Sequence, residues 1–209
     1  MALPDFLFLD RDNLQYLDVL VYTALRWFNR IESDECFPKH ETIGIKAGVS
    51  KNTVIASVKR LEEAGLISVK RSNKIRESNY YYFTAPRWNN RLEKIPKDFF
   101  ETTKDLSSHE RAMLLCIRQF FNNVKYECHE PKPIKFFAKY LGLTENQVRK
   151  QFSGLISKDY IKERYTISKF SDNLRRYYKL TDKIDWSFDQ YQSYNLQTLN
   201  TANITLKVA

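Results

Sequence analysis

Two short stretches place amide, hydroxyl and cationic side chains at helical spacing. One is Lys51, Asn52, Thr53, Ala56, Lys59 and Arg60; the other is Asn146, Gln147, Arg149 and Lys150. Asn and Gln can pair two hydrogen bonds with adenine, and Lys can reach guanine or a phosphate, so these sets suit contact with base edges and backbone rather than bond-making chemistry. Groups for catalysis are poorly supplied. The five glycines, at 44, 48, 65, 142 and 154, are scattered, where a phosphate-binding loop needs them clustered ahead of Lys-Ser or Lys-Thr. Cys36 with His40, or Cys128 with His129, lacks the four ligands at fixed spacing that a structural zinc requires. We therefore expect no catalytic residue, no metal, no cofactor and no enzyme activity.

The elements that must position the first set are legible from Glu41 to Ile67. Ile43, Ala47, Val54, Val58 and Leu61 recur at helical spacing, but Gly48-Val49-Ser50 interrupts the run, so one helix stops and a second begins. Gly48 supplies the positive φ of a sharp reversal, Val49 plugs the angle between the helices, and Ser50 caps the second helix. Gly65 ends that helix, and Leu66-Ile67 begin a strand. With Val54, Val58 and Leu61 inward, Asn52, Ala56, Lys59 and Glu63 face water, flanked by Thr53 and Arg60. When the second helix of such a pair enters a major groove, its N-terminal residues meet base edges, here Lys51, Asn52, Thr53 and Ala56, with Lys59 and Arg60 at phosphates.

Before this pair, Leu14 to Ile31 is an amphipathic helix, preceded by an acidic lead-in over residues 1–12. After it, Leu66–Lys70 and Tyr80–Thr84 are strand-forming, and Lys70, Arg71, Lys74 and Arg76 crowd the hairpin between them against one acid, Glu77. Three helices followed by a basic hairpin predict a winged helix whose wing suits phosphates or a minor groove. The second half repeats this order. Leu106–Phe121 and Ile134–Leu141 are helical, Gly142-Leu143-Thr144 answers Gly48-Val49-Ser50, and Glu145 to Ser157 is the second reading helix. Gly142, Val148, Leu155 and Ile161 each lie 94 positions beyond Gly48, Val54, Leu61 and Ile67, which reads as an internal duplication. Its wing runs from Ile161 to Leu180, with Lys169, Arg175 and Arg176 near the tip and Tyr177-Tyr178 answering the first tyrosines.

The expected fold is mainly α with small β wings, as two tandem winged helix-turn-helix domains. Their bounds are 1–86 and 106–182, with a connector over 87–105 and a polar, aromatic tail over 183–209. A net charge of +9, concentrated in the middle of the chain, points to a polyanion. Three widely spaced cysteines read as free thiols in a reducing compartment, and no apolar run approaches a membrane span, so a cytoplasmic protein is expected.

The stretch from Cys36 to Ile67 resembles the winged helix-turn-helix of plasmid and phage replication proteins and of bacterial regulators. Phe37-Pro38, Gly48-Val49-Ser50, Thr53-Val54 and Leu61-Glu62 with Gly65-Leu66-Ile67 carry the resemblance. It implies base-reading positions at Lys51, Asn52, Thr53 and Ala56, and more weakly at Glu145, Asn146, Gln147 and Lys150. The tandem arrangement also resembles plasmid replication initiators that bind repeated origin sites. Tyr177-Tyr178 resembles the paired nucleophiles of nicking enzymes, but those need two nearby histidines for a metal, and His40, His109 and His129 are dispersed. The implied partner is double-stranded DNA of a mobile element, bound with sequence preference by a replication initiator or transcription regulator; the chain itself or a replication or transcription protein is a further candidate partner. The competing reading is an interaction scaffold in which one winged helix docks a protein.

Overall fold

The computed structural model describes residues 2–3, 13–29, 36–73, 77–84, 93–121, 132–168 and 171–186. The first unit contains α1 (Tyr16–Phe28), α2 (His40–Ala47), α3 (Lys51–Glu63) and the antiparallel wing β2 (Ile67–Lys70) with β3 (Tyr80–Phe83). The second contains α5 (Ser108–Arg118), α6 (Ile134–Leu141), α7 (Glu145–Ser157) and the wing β5 (Ile161–Ser168) with β6 (Ser171–Leu180). The fold is mainly helical with two small β wings: two winged helix-turn-helix units in tandem.

Local chemistry builds both turns alike. α2 and α6 end at Gly48 and Gly142, whose φ angles of 74° and 64° lie in the left-handed region that glycine enters without a Cβ penalty. The first four backbone amides of each following helix then lack intrahelical acceptors. Ser50 Oγ accepts from Thr53 N at 3.1 Å, and Thr144 Oγ1 accepts from Gln147 N at 3.2 Å. Val54, Val58 and Leu61 turn into the core from α3, as Val148, Phe152 and Leu155 do from α7.

The wings are tied back in the same way. Thr84 donates its hydroxyl to Gly65 O and its amide to Leu66 O, the latter at 3.3 Å. Thr181 does the same to Asp159 O at 2.6 Å and Tyr160 O at 3.1 Å. Tyr81 pairs with Val69, and Tyr178 with Glu163, 94 positions on from Val69; both rings are buried. At the end of the reading helix the units differ: Gly65 has φ 68°, whereas Asp159 holds a left-handed φ of 61° despite its side chain.

Other expectations shift. Ala2–Leu3, placed in the acidic lead-in, forms β1 and pairs with β4 (Glu93–Lys94). The described part of the connector is built into the fold: Ile95 is buried, and α4 (Phe99–Thr102) buries Phe99 and Phe100. The start of the tail is also built in, since Ile184 and Trp186 are buried and the Trp186 ring lies 6.3 Å from that of Phe99. Most of the tail, Trp88, Cys128 and His129 lie outside the described residues.

The two units share one apolar core, with α1 packed along α5. Across this seam the Tyr16 hydroxyl meets His109 Nδ1, and Cys116 Sγ donates to Tyr16 O at 3.7 Å. The connector adds a second clasp. Lys46 of α2 pairs with Glu101 at 2.5 Å and lies 3.4 Å from the Trp27 ring centroid, while Trp27 Nε1 donates to Lys97 O at 3.1 Å. Lys46 is thus held by charge and by the ring face together.

Candidate nucleic-acid interface

On α3 the sequence-predicted residues divide by direction. Lys51, Asn52, Ala56 and Lys59 are exposed together on the outward face, joined by Ile55, an apolar residue outside the expected set. Thr53 is half-buried and spends Oγ1 on Ser50 Oγ at 2.9 Å, so it completes the cap. Arg60 departs from its expected place at a phosphate. Its guanidinium turns inward and donates from Nε and Nη2 to both carboxylate oxygens of Asp18, at 2.8 and 2.7 Å. Asp18 is fully buried within the apolar stripe of α1, and its charge requires a partner there. The one local signal was an acid inside that stripe; its partner lies 42 residues downstream.

Three other sequence-predicted cations of the first unit each carry one carboxylate partner at the surface. Lys51 pairs with Glu41 at 2.6 Å, Lys59 approaches Glu63 at 3.7 Å, and Arg71 pairs with Glu62 at 2.5 Å. The hydrogen bond from Lys51 holds the Glu41 carboxyl below its ordinary range. Pairs this exposed add little to stability, and a phosphate can replace the carboxylate at little cost. Lys70 is exposed at the end of β2. Lys74 and Arg76 lie outside the described residues.

On α7, Asn146, Gln147, Arg149 and Lys150 are all exposed. Gln147 has a prior engagement, because its Oε1 accepts from Thr144 N at 2.9 Å and from the Thr144 hydroxyl at 3.0 Å. It closes a capping box, so its carbonyl is committed to the helix start. Arg149 bonds Glu145 at 3.2 Å, so this acid is engaged by a cation one turn along its own helix. In the wing, Arg176 is exposed and pairs with Glu163 at 2.5 Å. Lys169 and the side chain of Arg175 lie outside the described residues.

Each reading helix borders a cleft against its wing. In the first unit Lys39, Glu41, Lys51, Asn79 and Tyr81 line about 530 Å³. In the second, Pro133, Lys135, Glu145, Arg149, Arg176 and Tyr178 line about 280 Å³. Glu41 and Lys51 correspond, at the 94-residue offset, to Lys135 and Glu145. The charges are exchanged, which keeps the local sum constant while altering where each sign stands.

The inward ties of the two units are also related. Arg60 of the first corresponds to Gly154, and there the Glu110 carboxylate occupies the space above α7. Lys158, one turn later, reaches back to Glu110 Oε2 at 2.7 Å, while Ser107 N donates to the same oxygen at 2.7 Å. Burial raises the Glu110 carboxyl, but these donors outweigh it and hold the group below its ordinary value. Among the described residues, no group of three or more His, Cys, Asp or Glu could hold a metal, and no helix is long and apolar enough to cross a membrane.

The chain has no significant match among curated protein sequences. The sequence pattern of the helix-turn-helix domain family matches residues 13–67, which span α1, α2, α3 and the first residue of β2. A helix-turn-helix domain is therefore present at residues 13–67, the wing of β2 and β3 completes it as a winged helix-turn-helix fold, and the second unit repeats its arrangement.

Proposed function

We infer that the chain binds double-stranded DNA with sequence preference, placing α3 and α7 in major grooves with the wings alongside. The observation that carries this reading is the pair of uncovered surfaces: Asn52, Ala56 and Lys59 on α3, and Asn146 and Lys150 on α7, are exposed on helices whose other faces are buried. Lys51, Asn52, Ala56, Asn146 and Lys150 contact bases, and Lys59, Arg71, Arg149 and Arg176 contact phosphates after exchanging their carboxylate partners. Lys70 and, from sequence, Lys74, Arg76, Lys169 and Arg175 extend the basic wings. The likeness of residues 36–67 to replication and regulatory proteins of plasmids and phages supports a role at the control or origin DNA of a mobile element. We also read the shared offset and the repeated threonine ties as the product of duplication.

Selection of bound duplexes from a random pool tests this directly. The expected result is a recovered site longer than one helical turn, with affinity falling steeply with salt. Recovery of no preferred sequence, with weak binding at low salt, would overturn the reading. Copies of the site beside an AT-rich origin indicate initiation, and overlap with a promoter indicates regulation. The scaffold reading draws on the exposed Ile156, Tyr165, Ile167 and Leu174 of the second unit. It predicts that Arg149→Ala with Lys150→Ala leaves DNA affinity unchanged.

A further inference from the structure

The two wings differ in reach. β2 and β3 are four residues each, whereas β5 has eight and β6 ten. At about 3.3 Å per residue, β5 extends roughly 26 Å. Only its base packs on the domain, where the Tyr178 ring meets Phe152 of α7 at 4.6 Å. Directly opposed residues share a face of a two-stranded ribbon, and the face repeats every second residue. Tyr178 faces Glu163, Arg176 faces Tyr165, and Leu174 faces Ile167. The side of the ribbon that begins on α7 therefore continues outward as Tyr165, Ile167 and Leu174.

These three side chains are 51%, 66% and 67% exposed. A solvated hairpin is expected to carry polar residues there, and Ile167–Leu174 is instead a cross-strand aliphatic pair in the outer half of the ribbon, inside the Ser168–Ser171 pair. Summed over the described side chains of the hairpin the charge is cationic: Arg176 stands on this side, paired with Glu163, the one acid among them, and Lys162, Arg164 and Lys179 stand on the opposite side. An exposed apolar pair on a cationic ribbon, presented on the side that packs against α7, is complementary to a polyanion with an apolar interior that can be opened. A DNA minor groove meets both terms, because apolar wedges inserted between base steps unstack them and bend the duplex.

We propose that the second wing enters the minor groove beside the α7 site and inserts Ile167 and Leu174 at a base step, kinking the DNA. This rests on the DNA-binding reading above and adds deformation to it. Arg164 and Arg176 hold the flanking phosphates, and pyrimidine–purine steps, which open most easily, are preferred at the insertion point.

The test uses the full chain and the duplex recovered by selection, labelled at both ends for energy transfer, with 2-aminopurine placed across the candidate step. The wild type is expected to bring the ends together and raise 2-aminopurine fluorescence roughly several-fold as the base unstacks. Ile167→Ser with Leu174→Ser is expected to bind the same duplex up to about tenfold more weakly and leave it straight. Both positions are exposed, and an unchanged unfolding midpoint confirms that the variant is folded. A wild type that binds without bending overturns the wedge while leaving DNA binding intact. So does a variant that bends DNA as the wild type does, or one whose only defect in sedimentation is lost self-association. Absence of binding to any duplex at low salt removes both proposals.

Discussion

Arg60 and Lys59 are neighbours in sequence with separate duties, and the difference is measurable. Arg60→Ala leaves the Asp18 carboxylate buried and unpaired, which is expected to cost about 3–5 kcal/mol in urea denaturation. Lys59→Ala is expected to change stability by less than about 0.5 kcal/mol, because its side chain is largely exposed. Under the proposed DNA-binding function its effect is expected in affinity instead, where losing one phosphate contact lowers the slope of log affinity against log salt by about 0.9. Asp159 is a third case: a left-handed φ of 61° strains any residue with a Cβ. Asp159→Gly is expected to raise stability by up to about 1 kcal/mol, read as a higher urea midpoint at unchanged m-value. Lys59 was placed outward from periodicity alone; Arg60 was misplaced because the buried acid that claims it lies on another helix.

At the scale of the element, α7 has accepted a glycine for a reason that helix propensity does not contain. Alanine is favoured over glycine by about 1 kcal/mol in a helix interior. At position 154, however, a Cβ would overlap the Glu110 carboxylate and stand 2.9 Å from its Cδ. Gly154→Ala would expel that carboxylate from Ser107 N and Lys158, so we expect a net loss of about 1–2 kcal/mol in thermal or urea unfolding. The same group gives a pH dependence with a definite sign. The Glu110 carboxyl is held below its ordinary 4.5 in the folded chain, so its contribution is fully present above that value and is lost as pH falls through the lower folded value. Glu110→Gln should therefore flatten part of the acid limb of a stability–pH curve and leave the neutral and alkaline region parallel to the wild type. The helix starts, the two glycine turns and the strand pairs were legible in the sequence because each is specified within a few residues. The ties beneath the helices were not, since Glu110 and Lys158 are 48 residues apart and nothing local marks them as partners.

For the molecule as a whole, a connector over 87–105 would allow two units on a tether, but the described residues place them on a common core with α1 against α5. The apolar residues of both helices were identified; that they bury one another was not, since each stripe is equally suited to its own unit. A tether would tolerate half-sites moved apart by a full turn. A fixed body would not. Inserting about 5 base pairs between the half-sites is expected to weaken binding strongly, and inserting about 10, which restores the rotational phase, is expected not to recover it. Measuring affinity for such a spacing series by fluorescence anisotropy separates the two arrangements, with full recovery at the longer spacing favouring the tether.

The exchange of Arg60–Asp18 for Gly154 beneath Glu110 and Lys158 constrains anyone wishing to retarget this protein. A whole α7 grafted into the place of α3 would bring no cation for Asp18, and α3 in the place of α7 would drive an arginine into the seat of a carboxylate. Transplants should be confined to the outward positions, or else carry their first helix with them as a matched cassette.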